Sequence, residues 1–168
     1  MTDLFPPDIL RSAESVLAKA RAKKLKLATA ESCTGGLIAG ALTEIAGSSD
    51  VFDRGFVTYS NEAKAMTLKV DTNILREHGS VSAETARAMV QGALAFSGAN
   101  IAIAVTGIAG PGGGSAQKPV GLVHFASVRK GAEPRNVERR FGDLGRTEVR
   151  LDTVRQALVM LAEEIDHA

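Results

Sequence analysis

Three side chains that can act as nucleophiles, Ser32, Cys33 and Thr34, stand next to one another in the chain. Residues 24–29 before them alternate at the two-residue period of a β-strand, and apolar residues in 37–45 repeat at helical spacing. The predicted helix start carries unpaired N–H groups and partial positive charge. It therefore predicts a site for an anion, or for the oxyanion of an acyl-transfer intermediate. The alternative is that Ser32 or Thr34 only caps the helix.

A second residue that could do chemistry is Lys64, which we expect in the first turn of a helix that begins after Ser60 and Asn61. The helix dipole opposes a positive charge at this end, opposed charge lowers the pKa of a lysine, and burial would lower it further. A lysine with a lowered pKa can act as a general base. The alternative is a flexible lysine on the surface, which position alone favours.

A glycine-rich loop runs from Thr106 to Ser115, directly after the apolar run 101–105. A run of this length without polar residues predicts a central strand that is buried on both faces. Glycine lets the backbone approach a ligand closely, and a loop beyond such a strand is where open α/β sheets bind phosphates and nucleotides. The loop has neither the ending of a P-loop nor the spacing of the dinucleotide fingerprint. A flexible connection is the alternative.

Two arginines, Arg146 and Arg150, stand at the start of the last predicted helix, 147–165. Arginine is disfavoured at a helix N-terminus unless it has an anionic partner. A substrate phosphate is one candidate partner, bound through the guanidinium fork. The carboxylates of Asp143 and Glu148 are the other candidates.

These segments need strands and helices that alternate along the chain. Strands are predicted at 24–29, 51–59, 101–105, 120–128 and 136–141, the last two joined as a hairpin. Helices are predicted after Pro6, after Gly36 and Ser60, and over 71–78, 82–97 and 147–165. We therefore predict an α/β fold, a three-layer α/β/α sandwich with a mixed, partly parallel sheet, in one domain over residues 1–168. Small residues in 82–97 predict close packing on the sheet or on another subunit.

Composition excludes several classes of function. The net charge of +1, one tyrosine and no tryptophan give no broad case for binding nucleic acid or an anionic membrane. One cysteine cannot form an internal disulfide, and no segment reads as a signal peptide or membrane span, so we expect a cytoplasmic protein. The three histidines are scattered and no H-E-x-x-H motif occurs, so we predict no metal site.

Five motifs in the chain match one known family in order: TAESCTGG at 29–36, GFVTYSNEAK at 55–64, GSVSAETARAM at 79–89, AVTGIAGPGGG at 104–114 and KPVGLV at 118–123. The chain resembles the C-terminal domain of the competence/damage-inducible protein CinA, whose stand-alone members are nicotinamide-nucleotide amidohydrolases. The resemblance implies hydrolysis of the carboxamide of nicotinamide mononucleotide to nicotinic acid mononucleotide and ammonia, in pyridine nucleotide salvage. It implies no cofactor, and a small-molecule nucleotide as the binding partner.

The resemblance also implies roles for individual residues. Ser32 would attack the amide carbon, and Lys64 would take the serine proton and return one to the leaving ammonia. Tyr59 and Asn61 would orient this pair or relay protons. The oxyanion would be stabilised by N–H groups around Thr34, Gly35 and Gly36. The substrate would be bound by Asn61, Thr106, Gly107, Gly110, Gly112, Gly113 and Arg146, with Arg146 the candidate for its phosphate.

Three alternatives remain open at this point. Cys33 is the rival nucleophile, because thiolates are intrinsically stronger. The domain could be a non-catalytic module that binds or senses pyridine nucleotides, or an amidase for a different small amide. We also expect a homo-oligomer, a dimer or higher, with the 82–97 helix as a candidate interface.

Overall fold

The computed structural model describes residues 3–168. The helices are α1 (Pro7–Ala22), α2 (Leu37–Thr43), α3 (Asn61–Leu68), α4 (Thr72–His78), α5 (Ala83–Ala95) and α6 (Arg146–Asp166), with a 3₁₀ turn at Ser48–Asp50. The strands are β1 (Leu27–Glu31), β2 (Phe52–Val57), β3 (Ile101–Gly107), β4 (Leu122–Arg129) and β5 (Arg135–Arg140). Each helix from α1 to α6 and each strand overlaps a predicted one, although β1 begins and ends later than the predicted strand 24–29, and the 3₁₀ turn lies where a loop was predicted. The predicted α/β fold is confirmed.

The strands form one mixed sheet in the order β2-β1-β3-β4-β5. β1 pairs in parallel with β2 and with β3, whereas β4 is antiparallel to both β3 and β5. The predicted hairpin and the central position of β3 are therefore confirmed. All five residues of β1 are buried. This burial follows from its position, because β1 has a strand on each side and helices over both of its faces.

The two faces of the sheet carry side chains of different size. Large apolar side chains, among them Ile101, Ile103 and Phe125, pack with α1, α2 and α6 on one face. The other face, under α3, α4 and α5, is lined by alanines: Ala28, Ala30, Ala102, Ala104 and Ala126. Strand β3 supplies both faces because its isoleucines alternate with alanines, and side chains along a strand point to alternate faces. The three predicted layers are thus present.

The small residues of α5 are used within the chain. A Cβ atom at Gly92 would lie only 2.2 Å from the carbonyl oxygen of Leu68, at the end of α3. The helix also contacts β1, β3 and β4. The sequence predicted that these small residues pack on the sheet or on another subunit. In the structure they pack on the sheet and also on the neighbouring helix α3. No helix within residues 3–168 is long and apolar enough to cross a membrane.

The carboxyl ends of the three parallel strands lie side by side at one edge of the sheet. Glu31, the last residue of β1, pairs with Val57 of β2 and with Val105 of β3. The helix after β1 covers one face of the sheet and the helices after β2 cover the other. Such an arrangement opens a crevice beyond the strand ends, where α/β proteins bind their ligands.

Candidate active site

Ser32 and Lys64 meet at this edge, each from the segment that follows a parallel strand. The ammonium Nζ of Lys64 donates hydrogen bonds to Ser32 Oγ, at 2.9 Å, and to the carbonyl oxygen of Thr58, at 2.7 Å. The lysine is 1% exposed. Its helix starts sharply because the Ser60 hydroxyl accepts the N–H of Ala63 as an N-cap. The interpretation of Lys64 as a flexible surface lysine is therefore wrong.

Burial lowers the pKa of Lys64 from 10.5 to about 8, because the charged ammonium has lost most of its water. Its two hydrogen-bond acceptors are a hydroxyl and a carbonyl, and neither carries a charge that would restore the pKa. The sequence predicted a lowered pKa from the helix dipole and, in addition, from burial, and desolvation by burial is the main cause in the structure. A lysine of this kind is neutral in a useful fraction of molecules near neutral pH.

The neighbouring Cys33 has the opposite chemistry. Its side chain is 5% exposed, and burial raises the pKa of its thiol to about 12. The thiolate, not the thiol, is the nucleophile, so Cys33 is inert near neutral pH. This favours Ser32 over Cys33 as the attacking group.

The start of α2 is already occupied by a carboxylate of the chain itself. Glu31 is fully buried, and its two oxygens accept the N–H groups of Ile38 and Ala39 at 2.8 and 2.9 Å. The hydroxyls of Thr34 and Thr29 donate to the same carboxylate at 2.7 and 3.2 Å. The prediction that this helix start is open to a substrate anion is therefore wrong, because the buried carboxylate and the helix N-terminus satisfy each other.

Neither Ser32 nor Thr34 caps α2, so that alternative is wrong as well. The N-cap residue is Gly36, with φ of 103°, and the turn before it closes with a hydrogen bond from Gly35 N–H to Ser32 O at 3.0 Å. Gly35 is thereby removed from the predicted oxyanion donors. The N–H of Cys33 has no protein acceptor within residues 3–168, and Cys33 lines the same cleft as Ser32. Among the described residues, the N–H of Cys33 is therefore a free donor in the residue next to Ser32.

Arg150 of α6 holds this turn from its other side. Its guanidinium donates to the carbonyl oxygens of Cys33, at 3.1 Å, and of Thr34, at 3.0 Å. Within residues 3–168 neither Asp143 nor Glu148 forms an ion pair with Arg150 or Arg146, so the carboxylate partners that the sequence offered are wrong. Backbone carbonyls satisfy the arginine instead and fix the segment that carries the nucleophile.

Replacing Glu31 with glutamine should lower the free energy of unfolding by about 2–4 kcal/mol, because an amide NH₂ would face N–H and O–H donors and leave at least one of them unpaired. Urea unfolding measures this difference. The matched control is Glu14→Gln, at an exposed position of α1, which should stay within about 0.5 kcal/mol of the wild type. Equal stability of the two variants would contradict the capping role of Glu31.

A cleft of about 470 Å³ opens in front of Ser32. Its walls include most of the predicted site residues: Ser32, Tyr59, Thr106, Gly107, Gly110, Gly112, Gly113 and Arg146. Asn61 lies outside this cleft, on a separate groove with Glu62 and Met66. Thr34, Gly35 and Gly36 do not line this cleft: Thr34 is buried, Gly35 is exposed and Gly36 is half-buried.

Two side-chain contacts hold the cleft together. Arg146 donates to the hydroxyl of Tyr59 at 3.0 Å and to the carbonyl of Gly110 at 2.8 Å, which joins α6, the end of β2 and the glycine-rich loop. The hydroxyl of Thr106 donates to the carbonyl of Ser80 at 2.7 Å. Thr106 therefore ties the end of β3 to the segment between α4 and α5.

The sequence prediction missed two polar residues of the cleft, Ser80 and Lys118. Ser80 and Lys118 lie in motifs noted above, and a lysine directly after a glycine-rich loop is a signal that could have found Lys118. Local pattern does not reveal that residues 79–81 fold back against the end of β3. The hydrogen bond from Thr106 to Ser80 that holds them there joins residues 26 positions apart in the chain.

The charged side chains on the cleft wall are all positive within the described residues. Arg146 and Lys118 are its cationic residues, and no Asp, Glu or His lines it within the described part of the chain. No cluster of three or more His, Cys, Asp or Glu side chains that could hold a metal ion occurs in residues 3–168. The site therefore offers a serine, a buried lysine and a cationic wall.

The family profile described as the CinA C-terminal domain matches residues 10–165. The chain belongs to the CinA C-terminal domain family. Among solved structures, it is similar to the competence/damage inducible protein CihA of Agrobacterium tumefaciens, with 57% identity and a TM-score of 0.95 over 98% of this chain and 99% of that one. The competence damage-inducible protein A of Klebsiella pneumoniae is 38% identical, with a TM-score of 0.90 over 95% and 98% of the two chains. The family resemblance drawn from the motifs is thus confirmed.

Curated CinA-like proteins match as well. The chain is 49% identical over 150 residues to the CinA-like protein of Synechococcus sp. strain RCC307, a match that covers 89% of this chain and 36% of that protein. The chain spans about a third of the length of the curated CinA-like proteins it matches.

Proposed function

We propose that this CinA-family domain hydrolyses the carboxamide of nicotinamide mononucleotide and releases nicotinic acid mononucleotide and ammonia, in pyridine nucleotide salvage. The observation that carries the proposal is the contact of Ser32 Oγ with a buried Lys64 Nζ, at 2.9 Å, where burial lowers the pKa of the lysine to about 8. A hydroxyl beside a lysine of this kind is an activated nucleophile for acyl transfer. The resemblance to the amidohydrolases of the family supports the choice of substrate.

In the first half of the reaction, neutral Lys64 accepts the proton of Ser32 while Ser32 Oγ bonds to the carboxamide carbon. The carbonyl oxygen of the substrate becomes an oxyanion, which the N–H of Cys33 is placed to stabilise. The protonated lysine then donates its proton to the amide nitrogen, and the carbon–nitrogen bond breaks. Ammonia leaves, and an ester between Ser32 and the nicotinate carbonyl remains.

In the second half, water replaces ammonia. Lys64, neutral again, takes a proton from the water as its oxygen bonds to the ester carbon. The carbon–oxygen bond to Ser32 breaks, and protonated Lys64 returns its proton to Ser32 Oγ. The carboxylic acid product releases its remaining proton to solvent and leaves as its anion. Tyr59 is oriented by Arg146 on the cleft wall, and we assign to it the positioning of the pyridine ring beside Ser32.

The lysine gives the reaction a pH dependence. Because the base must be neutral and its pKa is about 8, kcat/KM should rise about tenfold per pH unit below pH 8 and level off above it. At pH 7 about one molecule in ten carries neutral Lys64. Initial rates between pH 6 and pH 9.5 measure this profile. A rate that falls across this range would contradict Lys64 as the base.

The proposed function is tested by ammonia release from nicotinamide mononucleotide, followed with and without a chelator. We expect release of one ammonia for each nicotinic acid mononucleotide formed. Binding of the nucleotide by calorimetry without ammonia release would refute the enzyme and indicate a binding or sensor module. Release from simple aromatic amides but not from the nucleotide would refute the substrate and leave an amidase for another small amide.

A further inference from the structure

The cleft has a second cationic residue that the catalytic steps above do not use. Lys118 lies on its wall, and within residues 3–168 no carboxylate forms an ion pair with it. Its ammonium donates one hydrogen bond, to the carbonyl oxygen of His78 at 2.6 Å. An ammonium has three N–H donors, so two remain for a ligand. The charge is also not cancelled, because the anchoring group is a neutral carbonyl.

The ammonium of Lys118 is held in place by the turn that contains it and by the end of α4. Ser115 and Lys118 close a tight turn through two hydrogen bonds, from Ser115 N–H to Lys118 O at 2.8 Å and from Lys118 N–H to Ser115 Oγ at 3.0 Å. His78 is the last residue of α4, and a helix C-terminus attracts cations. The turn and the helix end together hold the lysine at the cleft.

A glycine leaves room at the same point. Gly79 has φ of +77°, and a Cβ atom there would lie 3.0 Å from Lys118 Nζ. A side chain at this position would therefore crowd the ammonium as well as strain the backbone. Bare backbone beside a cation is the kind of surface that a phosphate group approaches closely.

The other cation of the cleft, Arg146, is held by two neutral acceptors, one of which lies next to the segment of the catalytic pair. Arg146 donates to Tyr59 and to Gly110, and Tyr59 directly follows Thr58, whose carbonyl accepts the hydrogen bond from Lys64. Arg146 is thus connected to the catalytic pair, whereas the contacts of Lys118 lead to α4. In a pyridine mononucleotide the carboxamide and the phosphate are at opposite ends of the molecule. The cation whose contacts do not lead to the catalytic pair is therefore the better phosphate ligand.

We infer that Lys118 binds the phosphate monoester of the substrate, in place of the Arg146 assignment that the sequence suggested. The inference rests on the proposed function for the identity of the ligand. A charge-assisted hydrogen bond of this kind corresponds to roughly a 10- to 100-fold effect on binding. Lys118 is therefore a residue that selects the nucleotide over the corresponding nucleoside.

The test compares nicotinamide mononucleotide with nicotinamide riboside, which differs from it only by the phosphate. The wild type, Lys118→Gln, Lys118→Arg and Arg146→Gln are compared by kcat/KM and by calorimetric Kd. Lys130→Gln, in the exposed turn between β4 and β5, is the matched control. We expect Lys118→Gln to reduce the preference for the mononucleotide by roughly 10- to 100-fold, and Lys118→Arg to retain most of it.

An unchanged preference in Lys118→Gln would overturn the inference. So would a loss of preference confined to Arg146→Gln, which would place the phosphate at Arg146. If the wild type releases no ammonia, the proposed function fails on its own. The calorimetric preference for the mononucleotide still decides in that case whether Lys118 binds the phosphate.

Discussion

Ser32→Ala is expected to reduce ammonia release from nicotinamide mononucleotide by about 10³-fold or more, because the ester intermediate cannot form without the hydroxyl. The fold should be unaffected, since the change removes one oxygen atom at a cleft wall. Steady-state rates and thermal unfolding of the same preparation measure the two effects separately.

Cys33→Ala is the matched control for this prediction. It leaves the backbone N–H in place and removes a thiol whose pKa burial raises to about 12, so activity should stay within a few-fold of the wild type. The reverse outcome, with Ser32→Ala active and Cys33→Ala inactive but folded, would make the cysteine the nucleophile.

Lys64→Met should reduce turnover by about 10²- to 10⁴-fold, the usual contribution of a general base, while nucleotide binding measured by calorimetry remains.

The same change should also alter how the free energy of unfolding depends on pH. Lys64 has a pKa of about 8 when folded and 10.5 as its ordinary value, so the unfolded chain holds this proton more tightly. Wild-type stability should therefore rise between about pH 8 and pH 10.5 as the folded protein releases the proton.

The Lys64→Met variant has no ionisable group at this position, so its free energy of unfolding does not change as Lys64 titrates in the wild type. The free energy of unfolding of the variant minus that of the wild type should therefore be highest below pH 8 and should decline by about 3 kcal/mol towards pH 10.5. Urea unfolding at pH 7, pH 9 and pH 10 measures the decline. Lys130→Met, at an exposed turn, is the control and should show no such slope. A constant difference between Lys64→Met and wild type across this range would mean that Lys64 keeps an ordinary pKa.

The secondary structure could be predicted from the sequence because it depends on periodicity and caps that are local. Ser60 and Ser82 were predicted as helix starts, and both accept the N–H three residues ahead. The continuous apolar run 101–105 predicted a strand buried on both faces, and β3 lies at the centre of the sheet.

The site could be predicted only in part, because its contacts join distant segments. The partner of Lys64 is 32 residues away, and the family resemblance, not local pattern, paired it with Ser32. The guanidinium of Arg150 donates to carbonyls 116 and 117 residues earlier in the chain.

The role of Glu31 could not be predicted from the sequence for a different reason. A glutamate at a strand end is ordinarily exposed, and only the fold buries it against the start of α2.

The alanine-lined face of the sheet determines how wide the cleft is. Alanine is the smallest side chain with a Cβ atom, so α5 lies close to β1, β3 and β4. The segment that leads into α5 includes Ser80, which Thr106 ties to the end of β3. A larger residue at Ala102 or Ala104 would push α5 outward and move one wall of the cleft with it. The size of the molecule that fits beside Ser32 is therefore set in part by residues that this molecule never touches.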